Sequence, residues 1–438
     1  MDFQMKIISK YLRLGQPSFA VALTLIAMAG CGGDGGAGAL TQNTIIPDAG
    51  SGTTPTHELL PACDTNPANR YYFTHNPIVD ADLANFKSIF PLGGTNISGG
   101  HVFPSSHIYL NFPNDTTPMV VQMPGNMTIT SITRHFLEIY DYNLNGTFDP
   151  GEGDFTIHFG PCREFLSYFG HIKVISDELL AAIAGFTTEE CFGGDPTTFS
   201  HCTRQLSIPV AAGTVIGGSG NRPNNSAFDF GVRDKLGTPV TEISPNRFLT
   251  DVGFEHKYIQ CPLNYYNPTG GLYATLMAKI GNYDSGTDTF TAKTEGASLL
   301  CGTNGSDIAG TAQGYWFPDT TSIQSGTTEA SSMVLMPDAF YYDSKQGFNI
   351  GSAVADVGGM AYTFTHASSG RVNRNFAQVT DDGNIYCYET FEWEPGHVFL
   401  IKIEGATLKF KAISAASCND YDPDPANWSI TGATTFYR

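Results

Sequence analysis

The sequence predicts a mainly β protein, with a β-sheet core domain followed by a second β-sandwich or barrel-like domain. Three observations carry that expectation. Only 15% of the 438 residues are charged, whereas 48 are Gly, 30 Phe and 20 Tyr; this balance disfavours solvated helices and coiled coils and suits strands joined by many turns. Apolar residues make up 41% and aromatics 12%, enough to build cores and too many for a disordered chain. Short apolar or alternating runs recur between turn residues along most of the length. With 23 Lys+Arg against 42 Asp+Glu the formal charge is -19, so the basic footprint that a nucleic-acid binder needs is missing.

Residues 1–30 read as an address. Lys6, Lys10 and Arg13 precede a mostly apolar run, Phe19 to Ala29, too short to be a permanent bilayer span and suited to an export signal. The run ends in Met28-Ala29-Gly30-Cys31, which resembles the lipobox of bacterial lipoproteins. That resemblance implies that Cys31 carries the lipid and begins the mature chain; the alternative is an ordinary signal peptide with an accidental cysteine. Gly32, where an Asp would retain the protein at the inner membrane, implies the outer membrane, facing periplasm or surface. Residues 31–56 form a Gly-rich tether. Without residues 1–30 the chain has 20 basic and 41 acidic residues, and eight cysteines besides Cys31. An even set in an exported protein predicts up to four disulfides, among which Cys191–Cys202 is the one pair that spacing picks out. No C-x-x-C spacing occurs, so zinc-ribbon, haem and thioredoxin-type chemistry have no support.

The pattern then divides into 57–245 and 246–438. In the first part Met119–Gln122, Met127–Ile132, Phe155–Phe159, Leu206–Val210 and Phe228–Val232 read as strands. One helix is expected: Ser176 caps Asp-Glu-Leu-Leu-Ala-Ala-Ile-Ala, with an acidic first turn and Gly185 as its stop. In the second part Phe348–Val357, Met360–Thr365, Gly383–Thr390 and Val398–Ile403 read as strands. Asp381-Asp382-Gly383-Asn384 is a turn leading into one of them.

Four segments in residues 91–234 carry a family resemblance. They are Gly100-His101-Val102-Phe103-Pro104 with His107-Ile108-Tyr109-Leu110-Asn111; Phe155-Thr156-Ile157-His158-Phe159-Gly160 with Tyr168-Phe169-Gly170-His171-Ile172; Val210-Ala211-Ala212-Gly213-Thr214-Val215-Ile216-Gly217; and Ala227-Phe228-Asp229-Phe230-Gly231-Val232-Arg233. In this order they resemble the β-sheet core of the M23 (lysostaphin-type) metallopeptidases, whose pattern runs H-x-x-x-D, a hairpin ending near a histidine, V-x-x-G-x-x-I-G, and H-x-H. In that family the first His, the Asp and the last His bind Zn²⁺ beside two catalytic histidines. The resemblance implies a ligand role for His107, puts Asn111 where the carboxylate stands and Asp229 where the last imidazole stands, replaces one catalytic His by Ala227, and leaves His171 in the other's position. Asn is a poor zinc ligand, because its neutral carbonyl lacks the charge and basicity of a carboxylate. Loss of a transition-state imidazole costs about 100-fold or more. The expectation is therefore a degenerate peptidase scaffold. The alternative is a rewired Zn²⁺ site of His107, His171 and Asp229, with His101 and His158 nearby, because two His and a carboxylate make a legitimate catalytic set.

Residues 141–152 satisfy the EF-hand loop pattern at every ligand position. Asp141, Asn143 and Asn145 would offer side-chain oxygens, Thr147 its carbonyl, Asp149 a water-mediated contact and Glu152 a bidentate carboxylate, with Gly146 at the sharp turn. The flanks do not read as helices, so the loop is expected as a Ca²⁺ staple at a hairpin tip; an Asx-rich turn is the plainer alternative. The acidic turn 420–425 reads as a solvated loop, Gly217–Gly220 lacks the Lys and helix of a phosphate loop, and no G-x-S-x-G elbow is present. Tyr265-Tyr266 and Tyr341-Tyr342 suit core packing or a glycan groove. Together these features predict an exported, lipid-anchored envelope protein that binds cell-wall peptide or glycan, or serves as a structural surface module. The alternative is a zinc endopeptidase of the peptidoglycan-hydrolase type. Its expected partners are the membrane, through the lipid anchor, and peptidoglycan or envelope proteins.

Overall fold

Residues 56–83, 85–95, 102–112, 119–135, 152–184, 186–187, 190–192, 201–219, 227–250, 252–284, 287–296, 299–305, 307–354, 357–392 and 396–438 are described by a computed structural model. Strands β1 (Ser88–Phe90), β2 (His107–Asn111), β3 (Met119–Gln122), β4 (Met127–His135), β5 (Glu152–Cys162), β6 (Phe165–Ile175), β7 (Cys191–Phe192), β8 (His201–Val210), β9 (Val215–Ser219), β10 (Ala227–Asp234) and β11 (Ile259–Gln260) form one antiparallel sheet. Its path is β1-β2-β10-β6-β5-β4-β8-β7, with β11 on β10 and β9 joining β3 to β6. Helix α1 (Asp177–Ile183) follows β6 as its sequence predicts. Ser176 Oγ accepts from the Leu179 N–H at 3.5 Å, and Leu179 and Ile183, one turn apart, face the core.

After helix α2 (Gly271–Met277) come the hairpin β12 (Gly281–Asp284) and β13 (Thr289–Ala292), then two four-stranded antiparallel sheets. One holds β14 (Gly314–Trp316), β15 (Met333–Pro337), β16 (Lys345–Ile350) and β17 (Met360–Thr365), with the short helix α3 (Gly326–Glu329) before β15. The other holds β18 (Tyr386–Tyr388), β19 (His397–Glu404), β20 (Thr407–Ser414) and β21 (Thr434–Tyr437), with helix α4 (Cys418–Tyr421) before β21. Leu335, Phe348 and Phe364 from the first share a core with Tyr388, Phe399, Ile401 and Phe410 from the second. The sheets therefore face one another as a sandwich. Phe348 packs edge-on against Phe376 and Tyr388, both at 4.9 Å between ring centres, and Phe399 at 5.2 Å.

The protein is mainly β, as its composition predicts. The apolar cores divide between Cys301 and Ala312. The expected start of the second unit at residue 246 is not where they part: Ile259, Leu263, Leu276 and Ile280 pack into the first core. A smaller cluster joins Val102, Phe103 and Phe248 to Tyr315, Phe317, Val334 and Met336 on the outer side of β14–β15.

All eight described cysteines are paired. Cys191–Cys202 forms as its spacing predicts, across the β7–β8 register. Cys63–Cys162, Cys261–Cys301 and Cys387–Cys418 are the others. Cys261–Cys301 ties residues 261–301 back on themselves beneath the first sheet, which fits their place in that core.

Candidate functional site

The eleven-stranded sheet has two unlike faces, and the cross-strand register sorts its side chains between them. Ile108 and Leu110 of β2, Phe228, Phe230 and Val232 of β10, Phe169 of β6, and Phe155, Ile157 and Phe159 of β5 enter the apolar core. Their alternating neighbours must take the other face. There the register aligns three rows. In the first, His107 lies opposite Gly231, which lies opposite Tyr168, followed by His158 and Ser131. In the second, Tyr109, Asp229 and Gly170 run on towards Thr156, Thr133 and Thr203. The third ends in Asp154, His135 and His201.

His171 reaches this face through an irregularity. Strict alternation from Phe169 would send residue 171 into the core. The pairs Ile157–Phe169 and Phe155–Ile172 leave Gly170 and His171 together opposite the single residue Thr156. That extra residue is a β-bulge, and it puts both Gly170 and His171 on the polar side before Ile172 returns to the core. His171 takes a left-handed backbone, with φ of 58°, a conformation that non-glycine residues adopt rarely and that favours functional positions. The neighbouring glycines are there for room. A Cβ on Gly170 would lie 2.8 Å from Asp229 Oδ2, and one on Gly231 would lie 2.1 Å from the Tyr168 ring. Tyr-Phe-Gly-His and Phe-Asp-Phe-Gly thus interlock, the glycine of each segment lying beneath a functional side chain of the other.

The result is a buried chain of polar side chains. Asp229 presents one oxygen to each of two imidazoles: Oδ1 is 3.3 Å from His107 Nε2, and Oδ2 is 3.6 Å from His171 Nε2. The far nitrogen of each ring is also engaged. His107 Nδ1 is 3.0 Å from the Tyr168 hydroxyl, which is 3.1 Å from Ser106 Oγ. His171 Nδ1 is 3.1 Å from Asp154 Oδ1. His107 and Asp229 are only 2% and 1% exposed, so these contacts act at low effective dielectric. His171 lies between two carboxylates, both of which only accept hydrogen bonds when ionised. His158 Nδ1 is 3.2 Å from Ser131 Oγ, and burial lowers the His201 pKa against the opposing pull of Asp154.

The donors around Asp229 suit Zn²⁺ chemically, and second contacts such as Tyr168 and Asp154 are the kind that orient metal-binding histidines. They nevertheless approach pairwise: among the described residues no group of three or more His, Cys, Asp or Glu is placed to hold an ion. Asn111 does not join them. It ends a fully extended strand four residues from His107, about 13 Å along the chain, and its amide donates to Ser88 Oγ at 3.1 Å. The strand geometry therefore separates the two residues that the H-x-x-x-D spacing suggested would share an ion. Ala227 lies opposite Asn111 and supplies no imidazole. The lipobox with Cys31, His101, and Asp141, Asn143, Asn145, Thr147 and Asp149 of the calcium loop lie outside the described residues, and Glu152 is described only as backbone at the start of β5.

Asp154, Tyr168, Ser106, His135 and His201 were not singled out by sequence. Asp154 had a readable signal, the alternation Asp154, Thr156, His158 along one strand. The other contacts depend on cross-strand register, which no local pattern encodes. Comparison with known proteins finds no matching family model and no matching curated protein.

Proposed function

We propose that this is an exported envelope protein, lipid-anchored through Cys31, whose first sheet is an M23-like scaffold that recognises cell-wall peptide or glycan without hydrolysing it. One observation carries this reading: both oxygens of Asp229 are engaged, one by each imidazole, while Asn111 is turned to Ser88 and position 227 is alanine. Those groups leave no second imidazole at the position from which the family's reaction would be supported. The reachable part of the same face is Tyr109, Thr133, Thr156, Thr203 and Gln205, all half-buried or exposed. Its hydroxyls, amide and aromatic ring are suited to peptide and sugar groups.

The test is sedimentation of the mature protein with insoluble peptidoglycan, alongside release of labelled fragments with and without added Zn²⁺. Binding without release is expected. Release of fragments that stops in His107→Ala would replace this reading with the zinc endopeptidase, which the position of His171 between two carboxylates favours. Neither binding nor release would leave a structural surface module.

A further inference from the structure

The strongest feature outside the Asp229 centre is a pair of histidines at the far end of the polar face. His135, the last residue of β4, lies directly opposite His201, the first residue of β8. Their Nδ1 atoms are 2.6 Å apart, and the rings are nearly perpendicular, at 81° with centres 4.6 Å apart. Two Nδ1 positions thus converge on one small volume. The outer nitrogen of His135 is fixed as well, with Nε2 3.0 Å from Thr156 Oγ1. Such an outer contact selects the tautomer and ring orientation that direct the other nitrogen inward, as for metal-bound histidines. Asp154, paired opposite His135 on β5 and electrostatically coupled to His201, brings a carboxylate to the same corner.

We propose that His135 and His201 form a cross-strand clamp for a late first-row divalent cation, Cu²⁺, Ni²⁺ or Zn²⁺. The reasons are chemical and geometric. Imidazole nitrogens suit these ions, whereas Ca²⁺ and Mg²⁺ take oxygen ligands. Directly opposed strand positions hold their Cβ atoms about 5 Å apart, so two imidazoles can address one ion without backbone movement. The clamp supplies two nitrogens, and water completes the shell. It does not rest on the function proposed above, because neither histidine belongs to the Asp229 centre. Asp154 lies beside the clamp and contacts His171 of that centre, so occupancy at one end is expected to alter the charge felt at the other.

The experiment is Ni²⁺ and Cu²⁺ titration of the mature full chain by calorimetry, with Cu²⁺ electron paramagnetic resonance reporting nitrogen coordination. Nickel is chosen because an oxygen-ligand loop does not compete for it. His107→Ala should retain one equivalent of clamp-bound ion. His135→Ala and His201→Ala, each checked for an unchanged melting curve in chelator, should weaken that equivalent at least 10-fold and lose the two-nitrogen signature. His201→Asn serves in place of any alanine variant that fails to fold. Absence of bound Ni²⁺ or Cu²⁺ in His107→Ala would overturn the clamp, as would binding by His135→Ala or His201→Asn indistinguishable from the parent. Loss of peptidoglycan binding in the parent would not affect it.

Discussion

Up to Cys301 the large sheet buries ionisable side chains on one of its faces, among them His107, Asp154, His158, His171 and Asp229. From Ala312 onward the sandwich buries phenylalanines and tyrosines, and only a few of its buried side chains are charged, such as Glu329 and Arg438. The Glu329 carboxylate faces back, accepting from the Val102 N–H at 2.9 Å. Burying charge is costly unless each group is paired, so the difference separates two tasks. The sandwich is held by aromatic and aliphatic packing with the Cys387–Cys418 disulfide, so changes of volume perturb it most. The buried part of the sheet face tolerates little change in charge or shape, because its ionisable groups solvate one another.

The largest expected effect lies in the sandwich. Phe348→Ala removes a fully buried ring from an edge-to-face cluster and should cost about 3–5 kcal/mol, read by chemical denaturation. A loss below about 1 kcal/mol would mean that the aromatic cluster does not carry the second core.

The second effect belongs to the first region. His57 is fully buried above Gly160, and burial, then the charges of His158 and Lys235, lower its pKa to about 4. The unfolded chain takes up this proton near pH 6.5, before the folded chain does. Stability present above pH 6.5 is therefore lost as pH falls towards 4, by on the order of 3 kcal/mol. His57→Phe should flatten that part of the stability–pH curve. An unchanged slope between pH 6.5 and 4 would show that another group sets it.

The smallest effect sets one glycine against another. Gly170→Ala should cost about 1–3 kcal/mol, because its Cβ meets Asp229 Oδ2 at 2.8 Å. Gly347→Ala, in β16 of the sandwich, meets nothing closer than 3.7 Å and should stay within about 0.5 kcal/mol of the parent. Equal melting curves for the two variants would remove the interlock argument.

These contrasts mark what the sequence could disclose. Helix α1 was legible because Ser176, Asp177 and Glu178 announce its start locally, and β3 and β17 because short runs between turns have a definite length. Asp229 was legible through Ala-Phe-Asp-Phe-Gly, a polar side chain set between two core phenylalanines. The division of the cores near 301–312 was not, because residues 259–301 carry only short elements, β11, α2 and the β12–β13 hairpin, and are assigned by where their apolar side chains go. Asn111 entered through the family resemblance, and its distance from His107 follows from the straight strand, which turns four residues into about 13 Å. The meeting of His135 and His201 depends on a register fixed across 66 positions of chain, beyond the reach of any periodicity.

The bulge at Gly170–His171 has a consequence for how such sheets can be edited. An amphipathic strand is a message in which odd and even letters are read by different solvents. One added letter leaves every later letter legible only if the reader shifts frame at that point, and here the frame shifts at a histidine. Deleting Gly170 or His171 would therefore remove the bulge: one residue would face Thr156, the Ile157–Phe169 and Phe155–Ile172 pairs would keep their faces, and Asp229 would lose either its glycine neighbour or its second imidazole. Conversely, a Gly-His insertion opposite a threonine, beside a strand carrying a carboxylate, is a transplantable phrase. It would deliver one imidazole to the wet side of an otherwise uninterrupted apolar strand.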